Sequence, residues 1–132
     1  KEKMKETFIR GTIHQPILHP EQWRQELRSF GLRADDAVLL PVLAHIDDFQ
    51  QARKRFRTED VLRFAVDNVI EEMISAHPGV VHFSYGTKRS FFVFAFAESL
   101  KINPYEEAAA CVRRVLHNLR QALKLSLSFI IG

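Results

Sequence analysis

Cysteine is what this chain has least of. Cys111 stands alone among 132 residues, so no internal disulfide can form and a zinc site built from cysteines has no ligand set. That usage fits a reducing, cytoplasmic setting. Glycine and proline are sparse, five of each, and no repeat or low-complexity tract appears, as in an ordinary packed globular domain. No apolar run approaches the roughly 20 residues of a membrane span, and no signal-peptide pattern is present. Charge of one sign is short as well. A formal net charge of +3 is too mild to argue for nucleic acid, which a dense basic stripe would announce. Neither a membrane nor direct contact with nucleic acid is expected of this stretch.

What is present suits one domain of about 100–150 residues. Hydrophobic residues make up 46%, and the eleven phenylalanines concentrate in Phe91–Phe96 and in the helical segments. The chain opens in a charged helical stretch without an initiator Met and ends on the apolar Leu125–Ile131, which reads as an excerpt truncated at its C-terminal side. Lys1–Arg10 reads as a helix with Met4 and Phe8 on one side. After an irregular Gly11–Leu18, Pro20 starts a second helix with Trp23, Leu27 and Phe30 at i, i+4 and i+7, and Gly31 as its C′ residue. Residues 1–33 are therefore assigned to connector helices and residues 37–132 to an α+β domain.

The domain opens on an apolar strand, Val38-Leu39-Leu40 and Val42-Leu43-Ala44, ending abruptly in His45-Ile46-Asp47-Asp48-Phe49. Pro41 inside it lacks a ladder donor and marks an edge or bulge. A short helix over Asp48–Arg55 follows, and Thr58 can N-cap a long helix to about His77. On that helix Leu62, Ala65, Val66, Val69, Met73 and Ala76 form one apolar face, with Phe64 on the opposite side. Val80–Ser84 and Ser90–Ala97 flank Tyr85–Arg89 as a β-hairpin. Asn103-Pro104 opens the last helix, striped by Ala109, Val112, Leu116, Leu119 and Leu123. Alternation in Leu125, Leu127, Phe129 and Ile131 predicts a half-buried closing strand.

The order is two leading helices, then β-α-β-β-α-β. That is the ferredoxin-like, split βαβ arrangement, an antiparallel sheet with helices on one face. Right-handed crossovers place the first and third strands in the middle.

Over roughly Ala37–Gly132 this order resembles the GGDEF-type, nucleotide-cyclase-like fold. In active GGDEF enzymes the first strand ends in D-x-D-x-F, whose first acid holds magnesium. His45-Ile46-Asp47-Asp48-Phe49 matches that frame with His45 in the metal-holding place. The Gly-Asp pair of those enzymes falls near Thr58-Glu59. Their Gly-Gly-Asp-Glu-Phe hairpin falls near Thr87-Lys88-Arg89-Ser90-Phe91. Two-metal phosphoryl chemistry needs convergent carboxylates, and Lys88 and Arg89 would repel the metal. The resemblance thus implies an enzyme fold without catalytic residues, metal or cofactor.

Across the whole chain the sequence also resembles the central region of YesN-type response regulators of the AraC family. The segments that carry this likeness are Lys1–Gly11, Ile46–Phe49, Val61–Glu72 and Leu125–Gly132. Those proteins join a receiver, a degenerate GGDEF-like domain and a pair of helix-turn-helix motifs that bind promoter DNA. The resemblance implies a non-catalytic, signal-transmitting domain of a cytoplasmic transcription regulator. The receiver, the helix-turn-helix domain and a second copy of the chain would be its partners. Some relatives carry a membrane-bound sensor in place of the receiver.

Two sets of residues stand out as sites. His45, Asp47, Asp48, Lys88 and Arg89 are candidates for a ligand cleft, for a small molecule or nucleotide; the plainer reading has Asp47 and Asp48 capping the next helix. Met4, Phe8 and Phe64 are candidates for a dimer or interdomain surface. Arg53, Lys54, Arg55 and Arg57 form a basic patch that suits phosphate or an acidic partner, and also a solvated helix face. Arg113, His117, Arg120 and Lys124 read as a solvated face near a helix C-terminus. His14 and His19 share no face, and Cys111 has no oriented triad around it.

Overall fold

The computed structural model describes residues 25, 27–29, 37–77, 79–98 and 101–132. The first expected helix with Met4 and Phe8, the His14 and His19 pair, and Trp23, Phe30 and Gly31 lie outside them. Of the second expected helix, Gln25 and residues 27–29 are helical.

Seven elements follow: β1 (Ala37–Ile46), α1 (Phe49–Arg53), α2 (Glu59–Ile74), β2 (Val80–Tyr85), β3 (Arg89–Ala97), α3 (Pro104–Leu123) and β4 (Leu127–Ile131). The strands form one sheet in the order β2-β3-β1-β4, every neighbouring pair antiparallel. The first and third strands are central, as the crossovers require. The chain is an α+β protein of the expected order.

Pro41 is tolerated in a central strand because of where its missing donor would point. The Pro41 carbonyl accepts from Gly132 N–H at 2.9 Å, so the absent N–H faces the last rung beside β4. Only from Val42 onward is β1 paired on both sides. The lost ladder bond therefore falls at the ladder's end, where it costs least.

Period-two alternation splits the sheet's side chains into two cores. On one face Leu40, Val42, Ala44 and Ile46 of β1 meet Phe92 and Phe94 of β3 beneath α2 and α3. On the other, Phe83, Phe91 and Val93 enclose Leu27, which is fully buried. β3 is buried on both sides, which is why Phe91–Phe94 reads as an unbroken apolar run.

The helix ends follow the sequence cues. Thr58 Oγ1 accepts from Val61 N–H at 3.1 Å, and Asn103 Oδ1 accepts from Tyr105 and Glu106 N–H ahead of α3. Two details differ. α2 stops at Ile74, and its buried residues are Leu62, Arg63, Val66, Ile70 and Ile74, while Ala76 is exposed. The buried face is rotated toward Arg63 because that side chain reaches across to the hairpin. α3 buries Ala108, Cys111 and Val115 beside the expected Ala109, Val112 and Leu119, with Leu116 and Leu123 half-buried. It ends on Lys124 in the left-handed region (φ 56), with no glycine there.

Candidate functional site

The chemistry-bearing residues gather at the end of the sheet where β1 stops and the hairpin turns. Gly86 takes a positive φ of 64, which lets three residues, Gly86-Thr87-Lys88, close β2 onto β3. The Ile46 N–H donates to the Lys88 carbonyl at 2.9 Å and pins this loop to the end of β1. The Lys88 ammonium sits 5.2 Å from the Phe49 ring centre, a cation–π contact.

The expected cleft residues occupy three places. Asp47 and Asp48 line a concavity of about 390 Å³ with Gln51, Lys54, Arg55 and Lys124. Lys88 and Arg89 line a second one of about 250 Å³ with Glu59, Tyr85 and Thr87. His45 lines neither; it stands on the sheet face away from α2 and α3, half exposed. Asp48 holds the N-cap position of α1 in a left-handed conformation (φ 48), but its side chain makes no cap hydrogen bond. Asp47 does not cap either. Its carboxylate accepts from the Ser128 hydroxyl at 3.0 Å and lies 3.4 Å from His45 Nε2.

This His45–Asp47–Ser128 arrangement places the carboxylate in the middle. A serine nucleophile needs the imidazole beside its hydroxyl, so the geometry orients His45 without activating Ser128. Among the described residues no group of three or more His, Cys, Asp or Glu side chains can hold a metal ion.

Arg63 is the residue that sequence reasoning passed over. It is 9% exposed on α2 and reaches into the hairpin. One terminal nitrogen donates to the Arg89 carbonyl at 2.8 Å and the Thr87 carbonyl at 3.3 Å. The other donates to Ser90 Oγ at 2.8 Å, and Nε donates to Asp67 Oδ1 at 2.9 Å. The i,i+4 pair Arg63/Asp67 and the lone polar Ser90 opening an apolar strand were the available signals. Next to it His82 Nδ1 lies 3.2 Å from Glu71 Oε1, while Nε2 has no hydrogen-bond partner among the described residues. The His82 ring packs on Phe92 with centroids 5.1 Å apart.

The basic patch is partly structural. Arg55 donates to the carbonyls of Leu123 and Lys124 and so closes the C-terminus of α3, where the dipole favours a cation. Arg113, His117, Arg120 and Lys124 are exposed as expected, with Arg113 6.0 Å from the Phe129 ring centre. Cys111 is buried, and burial pushes its thiol above the ordinary cysteine range despite the nearby Arg114. Phe64 projects from α2, 68% exposed, one turn from the exposed Val61. No helix among the described residues is long and apolar enough to cross a membrane.

No protein-family model matches the chain, and no curated protein matches it in sequence. Among solved structures the chain is similar to the GGDEF domain of DgcB from Caulobacter crescentus, determined in complex with c-di-GMP. The TM-score is 0.54 at 13% identity, covering 82% of this chain and 70% of that one. The likeness at that identity is one of fold, and the fold is GGDEF-like.

Proposed function

We propose that this chain is a non-catalytic regulatory domain of a bacterial AraC-family transcription regulator. It passes a signal between an input domain and a DNA-binding helix-turn-helix domain of the same longer, cytoplasmic protein. The observation that carries this reading is the pairing of His45 with Arg89 on adjacent strands at the hairpin end. A magnesium-dependent cyclase needs hard, anionic oxygen ligands there, and this pair offers a basic imidazole and a guanidinium instead.

The coupling route is mechanical. Leu27, in the segment leading into β1, is buried against Phe83, Phe91 and Val93 of the hairpin strands, so motion of that segment is felt at the hairpin. Phe64 and Val61 on α2 offer an apolar surface for a second copy of the chain. A smaller reading, ligand sensing, draws on the second concavity, whose cations Lys88 and Arg89 suit a nucleotide's phosphates.

Two measurements on one preparation test the proposal. Incubation with GTP and Mg²⁺ or Mn²⁺ is expected to yield no cyclic dinucleotide, and its formation would overturn the non-catalytic reading. Phe64→Asp is expected to lower the sedimentation mass of the wild-type assembly. An identical mass for both removes Phe64 from the self-association surface.

A further inference from the structure

The strand registers line up one polar rung across the whole sheet. Tyr85 of β2 faces Arg89 of β3, Arg89 faces His45 of β1, and His45 faces Ser128 of β4. Directly opposed residues share a sheet face. This face is the one turned away from α2 and α3, because Ala44 and Ile46 on either side of His45 belong to the core beneath those helices. The next rung down, Phe83, Phe91, Leu43 and Ile130, is entirely apolar. Polar groups are thus confined to a single transverse row at the sheet's end.

Within that row Arg89 and His45 stand closest. The ladder bond from Ile46 N–H to the Lys88 carbonyl makes 46/88 a hydrogen-bonded position, so 45/89 is the non-bonded kind. In such pairs the Cα atoms approach to about 4.5 Å and the side chains crowd together. Two basic side chains in that position repel only when the imidazole is protonated. Here each is steadied from its far side. The Arg89 guanidinium leans over the Tyr85 ring, 5.7 Å from its centre. His45 Nε2 turns to Asp47, whose carboxylate is itself held by the Ser128 hydroxyl. Both side chains are exposed, at directly opposed positions of neighbouring strands.

We propose that this rung binds a small tetrahedral oxyanion, inorganic phosphate or a phosphate monoester. Arg89 supplies the bidentate grip, and the imidazolium form of His45, whose Nε2 faces Asp47, supplies the second donor from Nδ1. A guanidinium fork matches the spacing of two phosphate oxygens. Tyr85 and the Asp47–Ser128 pair are positioning groups that fix the two donors before the anion arrives. The site stands on strand register and the contacts of Tyr85, Asp47 and Ser128; it deepens the ligand-sensing reading, with which it shares Arg89, and does not depend on the signal-transmission one.

The test is a titration of isotopically labelled chain, followed through the Arg89 and His45 side-chain signals. Inorganic phosphate, glycerol phosphate and acetate are added in separate arms. Saturable movement with phosphate or glycerol phosphate is expected, with acetate weaker than both; the tighter of the first two names the source as free anion or ester. Arg89→Gln is expected to weaken binding about tenfold, the scale of one charge-assisted hydrogen bond. His45→Gln weakens it about threefold. Arg113→Gln, which removes an exposed cation from α3, leaves it unchanged. Both site substitutions are on exposed side chains, and unchanged backbone spectra elsewhere confirm their fold. No saturable movement at tens of millimolar phosphate overturns the proposal, as does an Arg113→Gln effect equal to that of Arg89→Gln. Cyclic dinucleotide synthesis would overturn the non-catalytic reading and leave this result untouched.

Discussion

On the helix side of the sheet His82 meets Glu71 at 3.2 Å; on the other side His45 meets Asp47 at 3.4 Å. The residue types and distances are nearly the same, and the settings are opposite. The His82 side chain is 3% exposed and packed on Phe92, whereas that of His45 is 53% exposed. Water screens the outer pair, so its partners can change at little cost. The inner pair packs beside the network of Arg63, Asp67 and Ser90, with His82 Nε2 3.9 Å from Asp67 Oδ1 and no hydrogen bond between them; within that network an unmet polar group carries its full desolvation penalty. One end of one sheet therefore holds a polar cluster committed to the fold and another that water reaches.

Breaking the inner cluster at Arg63 is expected to have the largest effect. Arg63→Met keeps the apolar stem but strips donors from Asp67, Ser90 Oγ and the carbonyls of Thr87 and Arg89. Removing one partner of a buried, hydrogen-bonded charge pair costs about 3 kcal/mol. Urea unfolding should show that as a lower midpoint at unchanged slope, with faster amide exchange over residues 86–90. A loss below about 1 kcal/mol would mean that the hairpin does not depend on this clamp.

His82→Phe probes the same cluster with the opposite expectation. The substitution keeps a ring against Phe92 and removes Nε2, which lies 3.9 Å from Asp67 Oδ1 without a hydrogen bond. Glu71 is 59% exposed, so water can replace its contact with His82. The expected result is no loss of stability and a gain of up to about 1 kcal/mol in the same unfolding assay. A loss comparable to that of Arg63→Met would show His82 to be a bonded member of the network and not a packed ring.

These contrasts also mark what could be read in the residues beforehand. Strand and helix order, the Thr58 and Asn103 caps and the half-buried β4 all follow from local pattern, because each is set by neighbours within a few positions. The apolar run Phe91–Phe94 shows a buried strand but not which rings face α2, since both faces of β3 are covered. Arg63 on a charged helix reads as solvated until the register places Ser90 and the hairpin carbonyls opposite it. Arg55 is a similar case, since its acceptors lie 68 and 69 positions away. His45 and Arg89 were both visible as candidates. Their alignment in one rung was not, because it depends on pairings across β1, β3 and β4.

Ser128→Ala is the smallest expected change and the sharpest check on the outer cluster. The hydroxyl holds the Asp47 carboxylate by both oxygens at 3.0 Å, yet the group is exposed and water can replace it. Stability is expected to fall by no more than about 0.5 kcal/mol. A loss near 2 kcal/mol would mean that Asp47 ties β1 to β4 as firmly as Arg63 ties α2 to the hairpin, and the two sides would no longer differ. If stability holds, the consequence belongs to orientation. Asp47, released from Ser128, no longer fixes the His45 ring, so the His45 contribution to anion binding should shrink in Ser128→Ala while that of Arg89 stays whole. That division separates a positioning hydroxyl from a binding one, because loss of a direct donor would weaken the anion even when His45 is already replaced.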